Sequence, residues 1–216
     1  MKVETTSGLI LRTRPLTETS LIVHWLTPHL GRVATVAKGA RRPKSPFAGK
    51  LDLFYTADFS FSRNRSSDLH NLREIKLQQT RPTIRKDIGK LNQAAYATAC
   101  IEATTETETP LPEFFAIIEK FLDLLDREPA RVVNIFALEI KLLGELGLAP
   151  DGKISHLTPG TKKIAQLLAE AAWPQILRVR TTAAQDQELC RWLDGLLILH
   201  LGKLPRGRAG AVTARC

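Results

Sequence analysis

The stretch that decides the fold is Leu51-Asp52-Leu53-Phe54-Tyr55-Thr56-Ala57-Asp58-Phe59-Ser60-Phe61-Ser62. Leu51, Leu53, Tyr55, Ala57, Phe59 and Phe61 share one parity; Asp52, Thr56, Asp58, Ser60 and Ser62 share the other. A period of two puts successive side chains on opposite faces of a pleat, so the spacing predicts a half-buried strand over 51–62. Arg63 to Asp68 is polar and ends it. Downstream, residues 69–79 keep Ile75 and Leu77 in phase but put Leu72 out of phase, as a bulge would. Upstream, residues 9–14 are apolar and extended, and residues 15–19 make a break. Leu21, Val23 and Trp25 then alternate, and Pro28-His29-Leu30-Gly31 turns the chain into residues 32–38. Five strands in about 80 residues, with short turns and one longer basic connection, predict a small closed barrel.

After Arg81-Pro82 the period becomes helical. Residues 91–105 are rich in Ala and suited to close packing. Phe114, Ile117, Ile118, Phe121 and Leu125 recur at i, i+3, i+4 and i+7, with Pro112 near the helix start. Residues 132–146 are apolar over a wide arc, which predicts a central buried helix stopping at Gly147, with Pro150 beyond. A short helix is expected over 161–171, and Leu189, Trp192, Leu193, Leu196 and Leu197 make the stripe of a last long one. The expected fold class is α+β: a barrel domain over residues 1–80, then an α-helical domain over 81–216.

Hydrophobic residues make up 44% and charged residues 25% of the 216, globular values that exclude a disordered or fibrous chain. The longest apolar runs are far shorter than the roughly 20 residues of a membrane span. Residues 1–14 lack the apolar core of a secretory signal. Cys100, Cys190 and Cys216 are scattered, which argues against a disulfide scaffold and a zinc site and for a reduced, cytoplasmic protein. No P-loop, dinucleotide fingerprint, zinc-protease helix or serine-hydrolase elbow is present, and the five histidines share no ligand spacing. Glu102, Glu106, Glu108 and Glu113 form an acidic cluster that reads first as a solvated face; a magnesium-dependent nuclease is the reading it would otherwise serve. The expectation is a non-enzyme with no cofactor and no metal.

Charge carries the positive statement. The net charge is +9, with +7 on residues 1–80, −3 on 81–150 and +5 on 151–216. A polyanionic partner fits that separation better than a uniformly basic surface does. Lys38-Gly39-Ala40-Arg41-Arg42-Pro43-Lys44-Ser45-Pro46-Phe47-Ala48-Gly49-Lys50 holds five cations, and no acid occurs between Glu18 and Asp52. Its two prolines and two glycines keep it out of helix and strand. It is expected to be an exposed loop that follows a phosphate backbone, with Arg gripping oxygen pairs, Lys acting as a point charge and Phe47 offering a face to a base. Arg12, Arg14, Arg63 and Arg65 stand where they would extend the same stripe. The candidate DNA-binding residues are therefore Lys38, Arg41, Arg42, Lys44, Lys50, Arg14 and Arg12. An RNA-binding barrel module is the alternative.

Three strings carry a family likeness: Arg14-Pro15-Leu16-Thr17-Glu18-Thr19-Ser20-Leu21, Gly31-Arg32-Val33, and Val36-Ala37-Lys38-Gly39-Ala40-Arg41-Arg42 running on into Gly49-Lys50-Leu51. In order and spacing they resemble the N-terminal domain of the bacterial recombination mediators of the RecO family. Leu142-Leu143-Gly144-Glu145-Leu146-Gly147 and His200-Leu201-Gly202-Lys203-Leu204-Pro205-Arg206-Gly207-Arg208 extend the resemblance. It implies an OB-fold β-barrel joined to a helical domain, binding of single- and double-stranded DNA, and strand annealing. It also implies partnership with RecR, contact with the tail of single-stranded-DNA-binding protein, and help in loading RecA. For that acidic, apolar tail, Arg131 and Lys141 near the central helix are available cations. Many members of the family carry a four-cysteine zinc module after the Leu-Gly helix end. Here residues 148–159 contain no cysteine, so the module reads as shortened away and its metal is not carried over.

Overall fold

The structure, a computed structural model, describes residues 3–148 and 157–213. Strands β1 (Val3–Pro15), β2 (Leu21–Thr27), β3 (Gly31–Ala37), β4 (Thr56–Ser62) and β5 (Leu69–Gln79) close in the order β1-β2-β3-β5-β4, with β4 returning to β1. The β3–β5 pair is parallel and the others are antiparallel. Closure works because β1 serves two partners. Residues 3–9 pair with β4, residues 9–15 pair with β2, and a bulge at Leu11 lets the strand bend between them. This is the OB-fold, as the alternation predicts.

Trp25, buried on β2, stacks on Phe59 of β4 with ring centroids 4.0 Å apart, and its indole N–H donates to Thr35 Oγ1 at 2.8 Å. Phe61, Ile10, Val23, Val33, Ala37, Ala57 and Leu72 complete the interior. Each ring or branched side chain taken from water contributes about 1.5–3 kcal/mol before the cost of ordering it. The bulge expected near Leu72 is present: Ser60 pairs with Glu74 and Phe61 with Leu72, leaving Arg73 extra.

Two expectations for this region are corrected. The strand begins at Thr56, not Leu51. Residues 51–55 form a turn in which Phe54, buried at φ +67°, donates its N–H to the Ile10 carbonyl while Ile10 N–H donates to the Tyr55 carbonyl. The buried Arg81 guanidinium holds that turn, donating to Phe54 O at 2.8 Å and Thr56 Oγ1 at 2.9 Å. The alternation persists through 51–55 because Leu51 and Tyr55 pack on the same core from a turn. Phe47, expected to face a base, is instead buried in the barrel interior.

The contacts divide the chain into two compact units, Met1–Arg81 with Thr105–Ala116, and Pro82–Thr104 with Ile117–Cys216. Residues 105–111, which a single cut at 80/81 would give to the helices, therefore belong to the barrel unit as a strap. Arg32 of β3 donates to Thr105 O at 2.6 Å, and Glu108 N–H donates to Arg32 O at 3.0 Å. Gly31 makes the contact possible. Its φ is +64°, and a Cβ there would overlap the Thr109 backbone.

The remaining elements are a short 3-10 turn (Ile84–Lys86) and the helices α1 (Ile88–Thr104), α2 (Pro112–Arg127), α3 (Val132–Glu145), α4 (Pro159–Glu170), the single turn α5 (Trp173–Ile176), α6 (Ala183–Leu201) and α7 (Arg208–Val212). As its composition predicts, α3 is the buried centre, and Gly147 at φ +71° follows its end. Pro150 lies outside the described residues. A charge sits inside this unit: Glu139 of α3 accepts from Arg208 Nε at 2.7 Å, from Arg208 Nη2 at 3.0 Å and from the Tyr96 hydroxyl of α1. Arg208 also pairs with Asp194 of α6. Burial opposes the Arg208 charge, but the Glu139 hydrogen bonds and charge outweigh it and hold the guanidinium protonated. The network ties α1, α3, α6 and α7 together.

Two outcomes follow for stability. Gly31→Ala is expected to cost about 2–4 kcal/mol, since it adds an overlap to left-handed strain. Gly49→Ala, at φ +72° with open space around it, should cost about 1 kcal/mol. Equal losses in thermal denaturation would mean the strap does not press on residue 31. Arg208→Met leaves Glu139 buried and unpaired, and urea unfolding should report a loss of about 3–5 kcal/mol.

Candidate nucleic-acid interface

The basic loop begins where β3 ends, and the register fixes what lies beside it. Pro15 pairs with Leu21, and Leu21 with Ala37, so the end of β1, the start of β2 and the root of the loop meet at one end of the barrel. Residues 38–50 run as consecutive tight turns: Arg42 N–H donates to Gly39 O, Ser45 N–H to Arg42 O, Ala48 N–H to Ser45 O and Lys50 N–H to Phe47 O, at 3.0–3.1 Å. Two anchors hold them. Phe47 is buried in the barrel, and Arg41 reaches the β1–β2 turn, its N–H donating to Thr19 O at 3.0 Å and its guanidinium to Thr17 O at 3.2 Å. Lys38, Arg41, Arg42 and Lys44 are exposed, and Lys50 is half-buried.

Arg14 pairs with Ile22 and Arg12 with His24, so these exposed arginines stand two residues apart on one face of β1, leading away from the loop. His24 lies on the same face. Burial first, then the charges of Arg12, Arg14 and Arg32, push its pKa down to about 4, and the ring is neutral at pH 7. Arg32, half-buried on this side of the barrel and tied to Thr105 O, is a cation that the sequence alone does not single out. The signal was its place in Gly31-Arg32-Val33, at the start of β3 and beyond the basic loop.

Other candidates are placed differently. Arg63 is held by Glu4 at 3.0 Å and Glu108 at 2.7 Å, while Arg65 is exposed. Glu108 also accepts from His70 at 3.1 Å, which takes it out of any acidic cluster. Among the described residues no three His, Cys, Asp or Glu side chains gather to hold a metal ion. The zinc module of the resemblance needs four thiolates, and residues 148–159 supply none; residues 149–156 lie outside the described ones. In the helical unit, Arg131 donates to the carbonyls of Leu177 at 2.8 Å and Val179 at 2.5 Å. Lys141 donates to Ala169 O at 2.9 Å and sits over the Trp173 ring. Both cations expected to rim a partner groove are thus engaged within the fold. No helix among the described residues is long and apolar enough to cross a membrane.

Comparison with known proteins agrees with this geometry. Residues 1–81 match the family described as Recombination protein O N terminal, and residues 85–153 match Recombination protein O C terminal. The DNA repair protein RecO of Rhodopirellula baltica is 31% identical over 143 residues, 66% of this chain and 53% of that one. The DNA repair protein RecO of Salinibacter ruber is 32% identical over 146 residues, and that of Bacillus subtilis 31% over 144, each alignment covering 67% of this chain and 56% of the relative. The chain therefore spans little more than half the length of these relatives. With an OB-fold barrel under the first match and helices under the second, the chain belongs to the RecO family of DNA repair proteins.

Proposed function

We propose that this chain is a non-enzymatic, cytoplasmic recombination mediator that binds single- and double-stranded DNA on its barrel, promotes annealing and, with RecR, assists RecA loading. The helical unit is then the docking side for protein partners, including the tail of single-stranded-DNA-binding protein. The observation that carries this reading is the loop at residues 38–50. Lys38, Arg41, Arg42 and Lys44 are exposed on a backbone held to the barrel, close in register to Arg14 and then Arg12. Cations fixed in that way meet phosphates of any sequence. Base readout has little to work with, because Phe47, the ring of the loop, is inside the barrel.

Annealing on such a surface consumes no nucleotide. Two strands repel through their phosphates, and a cationic surface that neutralises several at once lowers that repulsion while base pairing supplies the driving force. Contacts from Lys38, Arg41, Arg42, Lys44 and Lys50 to about four or five phosphates give a log–log salt slope of roughly −3 to −3.5 on single-stranded DNA, at about −0.7 per phosphate. Each cation removed should make the slope shallower by about 0.7. Changing Lys38, Arg41, Arg42 and Lys44 together to Ala should remove most of the affinity and of the slope. Circular dichroism should be unaltered, since the residue-41 N–H keeps its bond to Thr19 O in the alanine variant and exposed loop side chains contribute within about 0.5 kcal/mol each. An unaltered affinity and slope in a folded variant would sink the assignment.

A further inference from the structure

Glu108 sits where two donors converge. Arg63 Nη1 at 2.7 Å and His70 Nε2 at 3.1 Å both meet the same oxygen, Glu108 Oε1. Both donors are held from behind. His70 is buried and stacked on Phe61 at 5.3 Å, and its Nδ1 accepts the Asn64 N–H, which leaves the ring proton on Nε2, facing Glu108. The Arg63 guanidinium lies over the same Phe61 ring at 5.9 Å, and its Nε is fixed by Glu4 at 3.0 Å. A fixed N–H pair aimed at one oxygen is a built anion site, and its present occupant comes from the strap.

That occupant is loosely held. The Glu108 side chain is 44% exposed, its backbone is at φ +57°, and an ion pair so open to water is weak. Hydrogen bonds from His70, then Arg63, keep its carboxyl below the ordinary range and therefore ionised at neutral pH. Arg65, two residues beyond Arg63, adds an exposed cation to the same segment.

We propose that Arg63 and His70 form a second phosphate site on the barrel, filled by the Glu108 carboxylate until the backbone of a bound nucleic acid displaces it. The inference rests on the DNA-binding reading above and adds to it an internal competitor and a site outside the basic loop. Displacement exchanges one anion for another at the same donors, so no buried charge is left unpaired. Glu4 stays on Arg63 Nε and leaves Nη1 for the phosphate.

The test uses the full chain and a thymidine oligonucleotide of about 30 residues, with wild type, Glu108→Gln, Arg63→Gln and the double variant compared at several salt concentrations. Glu108→Gln should bind about three- to tenfold more tightly at low salt, with a slope steeper by about 0.7. Arg63→Gln alone should weaken binding, because it removes a phosphate donor and leaves the Glu4 and Glu108 charges unpaired, and added to Glu108→Gln it should cancel the gain. A gain that survives in the double variant would reduce the effect to the loss of one negative charge and overturn the site. Unchanged affinity in Glu108→Gln, with thermal unfolding near wild type, would overturn it as well. If the four-alanine loop variant abolishes binding while Glu108→Gln has no effect, this inference fails and the DNA-binding reading stands. If the loop variant binds normally while Glu108→Gln shows a reversible gain, the loop assignment fails and the second site stands. A Glu108→Gln protein that is destabilised and gains no affinity makes Glu108 a structural tie and overturns the proposal.

Discussion

A cationic loop presents its charges in a fixed arrangement only if something uncharged holds it, and in this chain Phe47 does so. Its ring lies in the barrel interior while Lys44, three residues earlier, stands in solvent. Burying such a ring contributes about 1.5–3 kcal/mol. The opposing repulsion is small: two like charges 10 Å apart in water cost about 0.4 kcal/mol before salt screens them. One aromatic anchor therefore outweighs several pairwise repulsions, and the Arg41 bonds to the β1–β2 turn secure the other side of the segment. The core of the barrel and the proposed DNA surface are in this sense one construction.

The net charge of +9 overstates what is available to a polyanion. Arg81 and Arg208 are buried and hold turns and helices together, Arg131 and Lys141 satisfy helix-end and linker carbonyls, and Arg63 is bound to two glutamates. Lys38, Arg41, Arg42 and Lys44 remain exposed on one short loop, with Arg12 and Arg14 on the neighbouring strand face. His24 adds no charge to that face at neutral pH, because burial and three arginines keep its ring deprotonated. Position decides the electrostatics here more than composition does.

Much of the architecture is legible because it is periodic. Ala57, Phe59 and Phe61 read as one face of β4 and line the core, although Thr56, Ser60 and Ser62 on the opposite face are buried too, so the strand is not half-buried as its alternation suggests. The phase break at Leu72 reads as a bulge, and the register skips Arg73 there. The wide apolar arc of α3 reads as a central helix and is one. Three features escape, each for a physical reason. Residues 51–55 keep the parity of a strand although they form a turn, in which Leu51 and Tyr55 pack on the barrel core while Phe54, of the other parity, is the residue fully buried. Phe47 stands among prolines, glycines and cations, and nothing local says that the end of a barrel must be filled. The strap has no period at all; it is recognisable only from Gly31, whose need for a missing Cβ appears once Thr109 is in place beside it.

Binding by phosphate neutralisation also sets how such a surface can work on two strands. Each contact is independent of sequence and individually weak, so affinity is a sum over several cations and falls steeply with salt. Base pairing returns about 1.4 kcal/mol per stacked step once two complementary strands align. A few steps therefore exceed the contribution of any single Lys or Arg contact, and pairing can reorganise the strands without first removing the protein. A rigid site that read bases would work against this, because the edges it held are those the second strand must reach. In the annealing proposed above, a barrel whose rings Trp25, Phe47, Phe59 and Phe61 all face inward, with Arg12, Arg14 and the loop cations outside, would leave the bases free for each other.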